Sequence, residues 1–242
     1  MPRHAINPHT YSISPAIFML HPQYVRGVVI AREVQNCDSP PELIQLLRQA
    51  EEGLRARLTP EQVAEEPRIA CWREAYRAFG AKPGEFRSSV EAMLRRVLRG
   101  DALPAITALV DLGNLLSLRH LMPVGGHAID HLNGDISLRL ASGEEQFVPF
   151  GMTEMEHPLP GEVIFAEGNT VLTRRWTWRQ ANHTLTLPET TAIEFNVDGL
   201  PPVTPGEVEQ VCLELIELLM RFCGGTARRA LLSAGSPGIV LD

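Results

Sequence analysis

Residues 110–130 read VDLGNLLSLRHLMPVGGHAID, and this stretch decides how the rest of the chain is understood. An apolar run with helical spacing ends at Pro123, and a Gly125-Gly126 pair leads straight into His127 and Asp130. A proline here predicts the end of a helix, because its ring disfavours helical geometry in the residue before it. The paired glycines lack Cβ atoms, so they predict a sharp bend and free space beside the imidazole that follows. A histidine presented in that way meets a small ligand. The competing reading is a tight turn whose histidine only closes a loop.

Working outward, helix starts are marked by a hydroxyl residue with an acid or amide three positions later. Ser39-Pro40-Pro41-Glu42, Thr59-Pro60-Glu61-Gln62, Ser88-Ser89-Val90-Glu91 and Thr204-Pro205-Gly206-Glu207 all match this capping-box pattern. Apolar residues at helical spacing follow, as in Leu43, Leu47 and Leu54, then Val90, Leu94 and Val97, then Val208, Val211 and Leu215. Gly100 and Gly224-Gly225 predict helix ends. Trp72, Tyr76 and Phe79 form a helical stripe that we assign to core packing.

Strand signals bracket this helical block. Residues 16–20, 25–34, 136–140, 147–150, 163–165, 171–173 and 192–197 are short, apolar and rich in β-branched or aromatic side chains. In RRWTWRQ, residues 174–180, an extended chain puts Trp176 and Trp178 on one side and Arg175, Thr177 and Arg179 on the other. That face is either core, or a pocket wall that stacks on a base or sugar with cations near phosphate. Strands, several helices, many strands and one helix, in that order, predict an α+β fold.

At 242 residues the chain buries a full core, and we take 1–242 as one domain. Residues 1–58 supply N-terminal strands and a helix, and 226–242 a C-terminal tail. Hydrophobic residues at 44% and charged residues at 21% fit an ordinary globular protein. No apolar stretch is long enough to span a bilayer, and no membrane partner is expected. The N-terminal residues carry charge and prolines where a secretory signal needs an apolar run, so a cytoplasmic location is expected.

Cys37, Cys71, Cys212 and Cys223 form no CxxC pair and read as reduced, structural residues. A net charge of −7 argues against general affinity for nucleic acid, DNA included. Lys82 is the only lysine, and the groups Arg95-Arg96-Arg99, Arg174-Arg175-Arg179 and Arg228-Arg229 stay open as phosphate contacts. There is no GxSxG elbow, no GxxxxGK[ST] loop and no GxGxxG turn. His127 and His131 are four apart but lack the glutamate of HExxH, so no metal and no cofactor is expected. What remains is a polar pocket acting on water without a covalent intermediate.

The succession WREAYRAFGAKPGEFRSSVEAMLRRV, VDLGNLLSL, MPVGGHAID and RRWTWRQ resembles the stand-alone B3/B4-domain proteins. These are similar to the B3/B4 editing module of the phenylalanyl-tRNA synthetase β subunit, and the resemblance covers roughly residues 60–225. It implies antiparallel sheets and helices around a central pocket, where the module hydrolyses the ester joining a wrong amino acid to tRNA. By the resemblance, Asn114 in Val110-Asp111-Leu112-Gly113-Asn114 and His127 in His127-Ala128-Ile129-Asp130 fall on the synthetase's pocket asparagine and histidine. Two departures stand out. Trp176-Thr177-Trp178 replaces a glycine-rich stretch, so specificity for tyrosine does not transfer. The synthetase's glutamate reads onto Asn196 or, two residues along the same face, Glu194.

The resulting expectation is a metal-independent deacylase that clears mischarged tRNA in trans, with the acceptor end as its partner and synthetase association open. His127, Asn114, Glu194 and Asn196 are the candidate catalytic residues. Gly125, Gly126, Asp130, Trp176, Trp178 and Arg175 are the candidate substrate contacts. The alternative is a non-catalytic module that binds a tRNA end, a nucleoside or an amino acid. The sequence leaves the amino acid and the oligomeric state open.

Overall fold

The computed structural model describes residues 9–241, so the reading of the first eight residues lies outside the described part. The chain runs β1 (Thr10–Ile13), α1 (Pro15–Leu20), β2 (Val25–Arg32), α2 (Pro41–Arg57), a 3-10 turn (Gln62–Ala64), α3 (Pro67–Ala78), α4 (Ser89–Leu98) and α5 (Ala108–His120). It continues through β3 (Val124–Ala128), β4 (Ile136–Leu140), β5 (Val163–Glu167), β6 (Thr170–Arg174), β7 (Arg179–Gln180), β8 (Ala192–Gly199), α6 (Pro205–Phe222), β9 (Thr226–Leu232) and β10 (Gly238–Val240). The fold is α+β, as the element order predicts.

Two sheets form, ordered β3-β8-β2-β9 and β10-β1-β4-β5-β6-β7, and every pairing except β1 with β4 is antiparallel. The four-stranded sheet lies between helices and the larger sheet. On its helix side Val29, Phe195 and Val197 join Leu47, Leu112 and Leu215 in one core. On its other side Val28 and Ile30 meet Tyr11, Leu138 and Phe165 of the larger sheet in a second core. Strand β8 is buried along its whole length because both of its faces are covered.

Close approach requires small residues at two points. A Cβ on Gly27 would lie 2.3 Å from Cys212 Sγ of α6, and one on Gly126 would lie 2.8 Å from Ile193 Cδ1. The α6 start carries both halves of the predicted capping box, Thr204 with Glu207. Ser88 caps α4 through the Glu91 amide alone, at 3.4 Å. Of the other two, the Thr59 box forms only its return half, the Thr59 amide donating to Gln62 Oε1 at 2.9 Å, and the Ser39 box does not form. Ser39 Oγ donates to Asp111 Oδ2 at 2.5 Å instead of capping α2, and the Thr59 motif opens only the 3-10 turn.

Several local expectations change. Residues 16–20 are helical: Pro15 at the first helical position and Ser14 accepting from the Ala16 amide outweigh the apolar run. Residues 147–150 make only isolated bridges. The stretch 174–180 is a hairpin turn: Arg175 and Trp176 both take positive φ, at 50° and 63°, which ends β6 and starts β7. Its two indoles are therefore not presented by an extended strand. Gly125 and Gly126 do not bend the chain; both lie within β3. The segment expected as a tail supplies β9 and β10, which close an edge of each sheet.

Candidate functional site

The cavity-facing side of the four-stranded sheet is set by strand alternation. In β8, Glu194, Asn196 and Asp198 point away from the helices, and their register partners are His127 and Ile30, Gly125 and Val28, and Arg26. His127 and Gly125 thus share one face of β3, and Arg26 lies on the corresponding face of β2. A cavity of about 580 Å³ opens over this surface, within the range of about 300–1,000 Å³ typical of small-molecule sites. Its walls come from α5, β3, the β6–β7 turn and residues 185–188, with Met93, Val110, Phe150 and Leu187 making them largely apolar.

His127 is buried, and both ring nitrogens are engaged. Nδ1 lies 2.6 Å from Thr184 Oγ1, and Nε2 lies 3.0 Å from Thr173 Oγ1. Hydroxyls donate or accept as required, so either neutral tautomer is satisfied. The ring packs against Phe165 with centroids 5.2 Å apart. Burial, with the Arg26 and His183 charges adding to it, pushes its pKa down to about 3. The imidazole is neutral throughout the physiological range. Gln180 Nε2 donates to the Gly126 carbonyl at 3.2 Å and to the Thr184 carbonyl at 2.9 Å, which fixes the rim beside the ring.

Beneath the cavity lies a buried polar network. Arg26 Nε donates to Asp198 Oδ1 at 2.6 Å and to Tyr24 Oη at 2.8 Å, and Arg26 Nη1 donates to Tyr11 Oη at 2.7 Å. The Tyr24 hydroxyl donates to Asp198, and the Tyr11 hydroxyl donates to Asn196 Oδ1. Burial opposes the charge of Arg26, but Asp198 and the two tyrosines hold its pKa well above the ordinary value. Asn196 Nδ2 donates to Glu194 Oε1 at 3.0 Å. Burial raises the Glu194 carboxyl to about 8, and its Oε2 has no hydrogen-bond partner among the described residues. Around neutral pH this floor holds one ion pair and one protonated carboxyl.

The ten residues singled out from the sequence divide clearly. His127, Asn114, Asn196, Gly125, Gly126, Trp176 and Trp178 line the cavity. Glu194 lies below that lining, bonded to Asn196. Asp130 stands away from it: its Oδ1 accepts from the Thr191 and Ala192 amides at 3.1 and 3.0 Å and so fixes the entry into β8. Arg175 is sandwiched with its guanidinium carbon 3.6 Å from the Phe86 ring centroid and 4.6 Å from that of Trp178. Trp176 is mostly core, edge-on to Tyr24 and Trp72, whereas Trp178 stays half-buried at the rim.

Sequence reasoning missed Arg26, Thr173, Gln180, Thr184 and Asp198. Two signals were available. Glu194, Asn196 and Asp198 are polar at alternate positions of an otherwise apolar strand, and Arg26 is a cation inside another apolar run. The hydroxyls of Thr173 and Thr184 carry no such mark. Among the described residues no three His, Cys, Asp or Glu side chains converge as a metal site. Cys71, Cys212 and Cys223 are pushed up to about 12 by burial, and none of them lines the cavity. The arrangement can hold and orient a polar ligand and a water molecule.

The B3/4 domain family matches residues 71–224, which is more than half of the chain. The chain belongs to the B3/4 domain family. The match runs from within α3 to just past the end of α6 and so contains Asn114, His127, Glu194 and Asn196. Among solved structures this B3/4 domain is similar to an N-terminal fragment of the phenylalanyl-tRNA synthetase β subunit from Pyrococcus horikoshii. The identity is 11% and the TM-score 0.45, covering 94% of this chain and 53% of that fragment. The chain thus spans about half the length of the fragment. A search of the curated proteins finds no match. No helix among the described residues is long and apolar enough to cross a membrane.

Proposed function

We propose that this B3/4 domain hydrolyses the ester of a mischarged tRNA in trans. The observation that carries the reading is a neutral His127 imidazole set in the wall of a cavity of about 580 Å³, beside Thr173, Gln180 and Asn196. An aminoacyl ester is already activated. The protein need only hold it, aim a water molecule and stabilise the oxyanion. Water attacks the carbonyl carbon, the bond to the ribose oxygen breaks, and the proton passes to that oxygen through the vicinal hydroxyl.

In this scheme His127 orients the ribose hydroxyls or the water, and Asn114 positions the ester. Asn196 holds the amino group, and Glu194 acts through Asn196. Antiparallel pairing directs the Asp198 amide to the Pro123 carbonyl and the Ile129 amide to the Ala192 carbonyl. The Gly126 amide, out of phase with these, faces the outer edge of β3 and serves the oxyanion.

The test is release of amino acid from a panel of mischarged tRNAs. Turnover on at least one of them is expected, and no release by folded protein would reject the hydrolase reading. A second reading, a binding module without chemistry, draws support from the two hydroxyls that already engage both nitrogens of His127. It requires tRNA binding that survives His127→Ala with no turnover before or after the substitution.

A further inference from the structure

Most cations of this acidic chain are held by carboxylates. Arg26 pairs with Asp198, Arg73 and Arg95 with Glu91, Arg119 with Glu214, and Arg174 with Glu162. The same test sorts the arginine groups along the sequence. In the first, Arg95 Nε bonds Glu91 at 2.9 Å, while Arg96 on α4 and Arg99 just past its end are exposed with no carboxylate partner among the described residues, Arg96 Nε donating to the Ala102 carbonyl at 3.2 Å. In the second, Arg174 and Arg175 lie 2.7 and 3.6 Å from Glu162 oxygens, while Arg179 donates only to the Phe150 carbonyl at 3.2 Å.

These three cations surround one route. A groove of about 520 Å³ runs between α4 and residues 101–104, with Arg96, Arg99 and Pro104 in its walls and Asp101 as its one carboxylate. The groove and the cavity share Met93 and Asn114. The Asn114 amide, at the junction, has no hydrogen-bond partner among the described residues. Arg179 lies in the cavity wall, next to the half-buried Trp178 ring that Phe86 holds edge-on with centroids 5.0 Å apart. Guanidinium groups without a carboxylate partner along a groove and a half-buried aromatic ring at a cavity rim are the parts of a single-strand binding surface.

We propose that the groove carries the sugar-phosphate backbone of a single-stranded RNA 3′ end whose terminal nucleoside enters the cavity. Arg96 and Arg99 take phosphates in the groove, Arg179 takes one at the rim, and a base stacks on the face of Trp178 opposite Arg175. This rests on the reading of the cavity as an aminoacyl-ester site and adds the path by which the RNA reaches it. It explains how a chain of net charge −7 holds a polyanion: three arginines with no carboxylate partner among the described residues lie along the approach.

The experiment uses the full chain and a short 5′-labelled single-stranded RNA ending in CCA, with binding measured across a salt series. Each phosphate contact on a single strand contributes about 0.7 to the slope of log affinity against log salt. The Arg96→Gln, Arg99→Gln, Arg179→Gln triple variant is expected to bind more weakly and to show a slope shallower by about 2. A charge-matched control, Arg77→Gln, Arg221→Gln, Arg229→Gln, should keep the wild-type slope.

Equal slopes for wild type and the first triple, equal losses in both triples, or no binding by wild type at low salt would each overturn the proposal. If the triple variant unfolds, Arg99→Gln alone should lower the slope by about 0.7. Deacylation is scored separately. Absence of turnover on charged tRNA, with RNA binding still lost in the first triple, rejects the hydrolase reading and leaves the groove standing.

Discussion

Strand β8 has two faces with opposite chemistry, and both are buried. Ile193, Phe195 and Val197 close against helices in a continuous apolar core. Glu194, Asn196 and Asp198 alternate with them and meet Arg26, Tyr11 and Tyr24 below the cavity. Burial alone does not explain the second set, since an apolar face would pack at least as well. Buried ion pairs commonly do no better than hydrophobic replacements of the same volume. The helix face therefore stabilises the sheet, and the cavity face holds polar groups in fixed positions at some cost to stability.

The largest effect that tests this contrast is expected from Asp198→Ala. It leaves the Arg26 guanidinium buried without its counter-ion and should cost about 3–5 kcal/mol in urea unfolding. Replacing Arg26 and Asp198 together with apolar residues of similar volume should recover most of that loss. A double variant as unstable as the single one would show that the pair itself stabilises the sheet, and the contrast would fail. Next in size is His127→Ala. Release of amino acid should fall by about 100-fold or more, while the urea midpoint moves far less than in Asp198→Ala. Comparable losses of fold and activity would make His127 a packing residue.

The helix face was legible before the structure was known, and the cavity face only in part. Apolar residues at helical spacing mark α2, α4 and α6, and the strands near 136, 163, 171 and 192 follow from β-branched runs. His127 and Asn114 stood out through the Gly-Gly pair and the family resemblance. The partners of His127 did not, because Thr173 and Thr184 come from distant segments and a lone threonine carries no periodic signal. The RRWTWRQ turn was hidden for a related reason: its sequence alternates like a strand, and the positive φ angles at Arg175 and Trp176 lack the usual glycine or asparagine. Residues 226–242 lack a clean alternation, yet pairing with β2 and β1 makes strands of them.

The two glycines of β3 allow a sharper comparison, one on each face. A Cβ on Gly126 would lie 2.8 Å from Ile193 Cδ1 and 3.0 Å from Phe195 Cε1, whereas one on Gly125 would meet nothing within 4 Å. Gly126→Ala should therefore cost about 1–3 kcal/mol through overpacking. Gly125→Ala should leave the urea midpoint nearly unchanged and instead raise KM or lower turnover, because its methyl group enters the cavity. Reversed results would mean that the faces are assigned the wrong way round.

The finest test is the pH dependence of stability, since of the two β8 faces only the cavity face carries titratable side chains. Glu194 is pushed up to about 8 by burial, from an ordinary value of 4.5. Between those values the folded chain keeps a proton that the unfolded chain releases, so this group makes stability fall as pH rises. His127 works in a different window: pushed down to about 3 from 6.5, it makes stability fall as pH drops through that range. Glu194→Gln removes the first contribution and leaves the second. Wild type and variant should unfold at similar urea concentrations near about pH 5, with the variant gaining steadily toward about pH 8. The variant also keeps an oxygen to accept the Asn196 amide, so lost hydrogen bonding should not mask the effect. Parallel curves for the two proteins would mean that Glu194 is already ionised in the fold, and that the sheet tolerates a second buried negative charge beside Asp198.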